Sequence, residues 1–217
     1  TYNLSDLEQA SFLPLTGSQM GAGGSVLSDL NDDGAVDAVF SAPYLEASTY
    51  YNGGFWLIDD LASSLSVEDP TELDPAAEAL TSMDGDNPYQ MLGLNMVDLG
   101  DMNGDGYRDV AIREGNYDST KSDSTMSYFQ DVVWVFSGDK MMGAMTGDME
   151  PDDAVLLSFY YESDVARTGG VLRSADFDDD GKDDFVIGAQ LFPTADSSGN
   201  SYYSGKVYVY VSGINGW

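Results

Sequence analysis

Residues 176–184 read DFDDDGKDD, and the same nine-residue pattern returns at 29–37 as DLNDDGAVD and at 101–109 as DMNGDGYRD. Side-chain oxygens fall at positions 1, 3, 5 and 9 of each copy: Asp29, Asn31, Asp33 and Asp37; Asp101, Asn103, Asp105 and Asp109; Asp176, Asp178, Asp180 and Asp184. A loop with an oxygen at every second residue wraps one hard cation, and calcium takes about six to eight oxygens from carboxylates, amides, carbonyls and water. Position 7 needs only its backbone carbonyl, so Ala35, Tyr107 and Lys182 complete the ligand sets while differing in side chain. A chain curling around an ion turns sharply after position 5, and Gly34, Gly106 and Gly181 make that turn without steric cost. Magnesium fits less well, because it demands a tight octahedron and keeps its waters. The sequence predicts three calcium sites.

The EF-hand shares this spacing, but its loop closes with a bidentate Glu at position 12 and runs into a helix. Here position 12 is Phe40, Ile112 or Ile187, and short strand-like runs follow: VDAVFSAP, RDVAIREG and DDFVIGAQ. Dockerin-like pairs fail on the same ground. Thrombospondin-type calcium repeats need cysteines, and the chain has none.

Composition narrows the class further. Of 217 residues, 42% are apolar, with 14 Tyr, 9 Phe and 3 Trp, which is ample material for a packed core. Against 38 acidic residues stand 8 basic ones, a net charge of −30. Nucleic acid and anionic membranes need positive patches, so neither is an expected partner. No apolar run approaches the length of a membrane span, and no membrane insertion is expected. Such an acidic surface suits a salty, calcium-containing medium whose counterions screen self-repulsion. The expectation is an extracellular or cell-surface protein of a marine or halophilic bacterium or archaeon.

Around each loop the chain repeats one order of elements. A glycine-led strand (MGAGGSVLS, MLGLNMVDLG, RTGGVLRSA) enters the loop, a second strand leaves it, and a third follows a variable connection (GGFWLID, YFQDVVWVFSG, KVYVYVSG). Outer strands AEALTSM and AVLLSFYY follow in the first two repeats, after acidic excursions. Loop starts are 72 residues apart (29 to 101) and then 75 (101 to 176), a period that suits a four-stranded blade. The expected fold is all-β, with propeller-like blades of four antiparallel strands over 17–84 and 85–160. A third blade over 161–217 lacks its outer strand. In KVYVYVSG both alternating faces are bulky, as for a sheet sandwiched between neighbours, and TADSSGNSYYSG reads as a turn-rich connector.

A glycine-led strand, a DxNxDGxxD loop and a V-I-G-A-P-like strand together resemble the FG-GAP repeat, the blade of the integrin α-subunit β-propeller and of many bacterial surface proteins. The likeness is fullest in VLRSADFDDDGKDDFVIGAQ and clear in DLNDDGAVDAVFSAP, while the second repeat departs with IREG and the third with Thr168-Gly169. The resemblance implies that each loop joins the first two strands of a blade and binds calcium. It also implies a role in cell-surface adhesion or in binding a protein or glycan, through the connections YLEASTYYN, NYDSTKSDST and FPTADSSGNSYYS.

Residues 1–16 hold a surplus strand, SFLPL, that matches the third blade's deficit. The chain is then a fragment of a longer propeller, half of a closed two-chain ring, or a filament subunit, with the N-terminal strand completing another blade's edge. Homo-oligomerisation by strand exchange is the expectation, and a structural subunit of an extracellular assembly is the alternative function. With no His and no Cys the usual general base and thiol nucleophile are missing, and GSQMGAGGS lacks a phosphate-loop lysine, so no enzyme is expected, a calcium-dependent glycan-active enzyme using paired carboxylates being the alternative.

Overall fold

The computed structural model describes residues 10–12, 18–47, 49–64, 71–73, 78–117, 129–143, 154–160 and 167–212. Its architecture is a row of antiparallel sheets, each begun by a loop-bearing hairpin. The first sheet is formed by β2 (Ser25–Ser28), β3 (Asp37–Ser41), β4 (Gly54–Ile58) and β6 (Thr81–Asp84), in that spatial order. The second takes β7 (Asn95–Asp98), β8 (Val110–Tyr117), β9 (Phe129–Phe136) and β10 (Val155–Tyr160) in order. A third has three strands, β11 (Thr168–Ala175), β12 (Asp184–Ala189) and β15 (Lys206–Tyr210). These are the propeller-like blades that the period predicts, and among the described residues the third lacks a fourth strand.

Strand alternation decides what each sheet buries. In the second blade Val110 and Ile112 point one way and Ala111 the other, and all three are fully buried, because neighbours cover both faces. One apolar layer joins the first two blades: Val39, Phe55, Leu57 and Met83 on one side, Val110, Ile112 and Phe136 on the other. Phe55 meets Phe136 edge to face at 5.4 Å. A second layer joins Ala111, Val133 and Val135 to Leu172, Phe185 and Ile187. There Phe159 of the second blade packs on Phe185 at 5.7 Å and on Tyr210 at 5.8 Å. Each fully buried side chain of this size contributes about 1.5–3 kcal/mol, so blade stacking supplies the core.

Short elements finish the chain. β1 (Ala10–Phe12) pairs in parallel with β5 (Thr71–Leu73), and so joins none of the blade sheets here. Helices α1 (Leu61–Ser64) and α2 (Gly138–Met142) each follow the third strand of a blade. The latter sinks Met141 fully into the layer between the first two blades.

Two expectations need correction. TADSSGNSYYSG is not merely a connector, since β13 (Pro193–Ala195) and β14 (Ser201–Tyr203) form a hairpin there. Its turn is held by Asp196 Oδ1, which accepts from the Ser198 and Asn200 N–H groups, both at 2.9 Å. Nor are both faces of β15 covered. Tyr208 and Tyr210 pack on the second blade, but Val207 and Val209 are 67% and 59% exposed. No sheet among the described residues follows the third blade, so its outer face stays open.

Candidate metal centres

The three loops, 29–37, 101–109 and 176–184, join the first and second strands of their blades, as expected. Their internal bonding repeats almost atom for atom. The position-1 carboxylate accepts the N–H of position 5 through one oxygen and the glycine N–H through the other: Asp29 at 3.1 and 2.9 Å, Asp101 at 3.0 and 2.9 Å, Asp176 at 3.1 and 2.9 Å. The position-3 side chain, Asn31, Asn103 or Asp178, also accepts the N–H of position 5. Position 5 accepts the N–H of position 7, so Asp33, Asp105 and Asp180 bind Ala35, Tyr107 and Lys182. This ladder needs a left-handed turn at the glycine, and Gly34, Gly106 and Gly181 have φ of 91°, 92° and 89° in open space.

Position 9 does more than spacing alone reveals. Asp37, Asp109 and Asp184 are fully buried. In each, one oxygen accepts from position 2 of its own loop: Leu30 at 2.8 Å, Met102 at 3.0 Å, Phe177 at 2.7 Å. The other accepts from the chain just after the blade's third strand: Asp60 at 3.0 Å, Gly138 at 3.0 Å, Ser212 at 2.9 Å. The residue that closes the loop therefore also ties it to the third strand. Burial pushes Asp109 up to about 6 against the pull of its two N–H partners, and it raises Asp37 as well.

In the third loop one oxygen from each of Asp176, Asp178 and Asp184 lies within 4.8 Å of the others. Backbone N–H groups hold two of these carboxylates, Asp176 through Gly181 and Asp184 through Phe177 and Ser212, and an all-oxygen donor set of this kind suits a hard cation. In the first two loops position 3 is Asn, and its amide nitrogen donates to the position-5 carboxylate, Asn31 to Asp33 at 3.0 Å and Asn103 to Asp105 at 2.9 Å. These loops carry the same donors with one charge fewer. The residues of the third loop fit calcium: Asp176, Asp178 and Asp184 would supply converging carboxylate oxygens, and spacing alone adds Asp180 and the Lys182 carbonyl as the remaining candidates.

At the opposite ends of the strands lies a feature that the loop pattern does not announce. Tyr50 and Tyr51, on the β3–β4 connection, meet Tyr89 from the connection between the first and second blades, at 5.4 and 6.0 Å between ring centres. Tyr44 abuts Tyr51 at 5.7 Å. Buried Asn52 fixes the two connections, accepting from Ala47 N–H at 3.0 Å and donating to the Gly85 carbonyl at 2.8 Å. Gly53 lies so close to Leu92 that a Cβ would sit 2.3 Å from its nitrogen. Tyr51 and Tyr89 have φ of 52° and 62°, strained for any residue with a Cβ. YLEASTYYN marks three of these rings in sequence; only the fold adds Tyr89.

Loop-bearing blades stacked face to face define a propeller-like protein. Residues 168–210 match the FG-GAP repeat, so the third blade is an FG-GAP repeat. That match spans β11, the third loop, β12 and β15, and the first two blades repeat its loop bonding. No curated protein matches the chain. No helix among the described residues is long and apolar enough to cross a membrane, which leaves β-barrels untouched.

Proposed function

We propose that the protein is an extracellular, calcium-binding propeller-type module that adheres at a cell surface by binding a protein or glycan. The observation that carries this reading is the thrice-repeated oxygen ladder with position 9 fixed beneath it. Bound at the three sites, calcium would neutralise clustered carboxylates and pin each hairpin, while the opposite strand ends remain free for a partner. The tyrosine cluster supports a binding face there. Rigid aromatic side chains give contact area at low entropic cost, and strain at Tyr51 and Tyr89 is tolerated where glycine would relieve it. Binding of calcium-loaded protein to panels of immobilised neutral glycans and extracellular polypeptides tests this reading. Tyr50 is 51% exposed, so Tyr50→Ser should weaken binding of the partner about 2- to 5-fold while lowering the melting temperature by only a few degrees, the cost of its ring contacts with Tyr51 and Tyr89. Binding that ignores the substitution would exclude this face.

The net charge of −30 supports a salty, calcium-containing medium. We read the module as non-enzymatic. Two buried acidic groups outside the loops serve the fold: Glu114 accepts from Trp134 Nε1 at 2.7 Å, and Asp131 pairs with Arg113 at 3.1 Å.

A structural subunit built by strand exchange is the second reading, and what favours it is that the third sheet ends at β15 with no fourth strand among the described residues. Beside that edge runs a groove of about 370 Å³ lined by Phe159, Tyr160, Tyr208 and Tyr210, with the Thr168 hydroxyl buried and unbonded in its wall. Sedimentation with and without calcium separates the readings: a monomer supports the adhesion module, a dimer a closed ring, and large polydisperse species a filament.

A further inference from the structure

Among the ion-binding loops sits a cation that coordinates nothing. Position 8 is Val36 in the first loop, Asp183 in the third and Arg108 in the second, and no Lys or Arg precedes Arg108 in the chain. Its backbone N–H donates to the Leu30 carbonyl at 2.8 Å, joining the first loop to the second. Its guanidinium grips Asp98, with Nε at 3.1 and 2.9 Å from the two carboxylate oxygens and Nη2 at 2.9 Å from Oδ2. The same Nη2 lies 3.7 Å from Asp183 Oδ2 in the third loop. Asp98 in turn accepts from the Ser174 hydroxyl through its backbone carbonyl, which hooks the third blade to the second. On the other side a cleft of about 390 Å³ is lined by Arg108 together with Asp29, Asp32 and Asp101. One side chain therefore faces acidic groups of three successive blades.

We propose that Arg108 is a resident counter-charge for the three loops, holding them together before any ion arrives and weakening each ion's grip afterwards. This rests on the calcium reading. Without ions, carboxylates at the three loops repel one another, and a forked guanidinium offsets that repulsion at a fixed place. With ions bound, the same positive charge opposes them across a short, partly screened distance. By linkage the two effects are one: whatever stabilises the ion-free state more than the loaded state lowers affinity by the same amount.

The test compares wild type with Arg108→Gln and Arg108→Lys by thermal melting in chelator and in saturating calcium, and by calorimetric calcium titration at low salt. Arg108 is 39% exposed, so the expected loss for Arg108→Gln in chelator is modest, about 2–4 °C. In saturating calcium the deficit should fall to half or less, and calcium affinity, taken as the product over the three sites, should rise about threefold. Arg108→Lys keeps the charge and should hold affinity near wild type. Equal losses in both conditions with unchanged affinity overturn the proposal, as does weaker binding by Arg108→Gln. If wild type binds calcium but Arg108→Gln melts with it in chelator, this proposal alone fails. A wild type indifferent to calcium defeats the calcium reading and this proposal together.

Discussion

Calcium at about a hundred times its dissociation constant is expected to raise the unfolding free energy by about 2.7 kcal/mol for each occupied loop, and by about 8 kcal/mol for three. In a chain of this size each kcal/mol moves the melting temperature by about 2–4 °C, so the whole shift is about 15–30 °C. The effect is large because the loops are well formed only in the folded chain. Position 9 is oriented by N–H groups from distant segments, Leu30 and Asp60 in the first blade and Phe177 and Ser212 in the third. An unfolded chain keeps the carboxylates but not their convergence, and binds calcium weakly. Charge alone cannot account for a shift of this size, since sodium at matched ionic strength screens repulsion without entering a loop. Magnesium should give a much smaller shift than calcium at equal concentration. A melting temperature that is the same in chelator and in millimolar calcium would remove the calcium reading.

The loops were legible in sequence because their chemistry is local. Alternate oxygens and a following glycine demand one backbone path, and the ladder from Asp29, Asp101 and Asp176 follows it three times. The strands were legible because VDAVFSAP and its counterparts are too short and too apolar for anything but buried β-structure. What lay beyond the sequence depends on contacts between distant segments. Spacing marks Asp109 as a ligand, but that it also accepts from Gly138 is a fact about where the third strand ends. Nothing in the loop spacing singles out Arg108 at position 8, since the acidic groups around it come from three different blades. The alternation of KVYVYVSG is symmetric in sequence, and what leaves Val207 and Val209 open while Tyr208 and Tyr210 are covered is that no sheet among the described residues follows the third blade.

Two substitutions in the third loop should come apart in chelator, because positions 3 and 9 do different work. Asp178 is exposed, and among its bonds is a long one from the Asp180 N–H at 3.2 Å. Asp178→Ala should therefore change ion-free stability by no more than about 0.5 kcal/mol. Asp184 is fully buried and accepts from Phe177 N–H at 2.7 Å and Ser212 N–H at 2.9 Å. Its replacement by Ala leaves both donors without their partner, and each unsatisfied donor costs about 1–3 kcal/mol, giving about 2–6 kcal/mol in all. In calcium both variants lose the third site and its contribution of about 2.7 kcal/mol, so each falls further behind wild type by a similar step. Urea unfolding of the three proteins, with and without calcium, reads both differences at once. If Asp178→Ala and Asp184→Ala unfold at the same midpoint in chelator, position 9 is a ligand and no more, and the tie between loop and third strand contributes nothing to the fold.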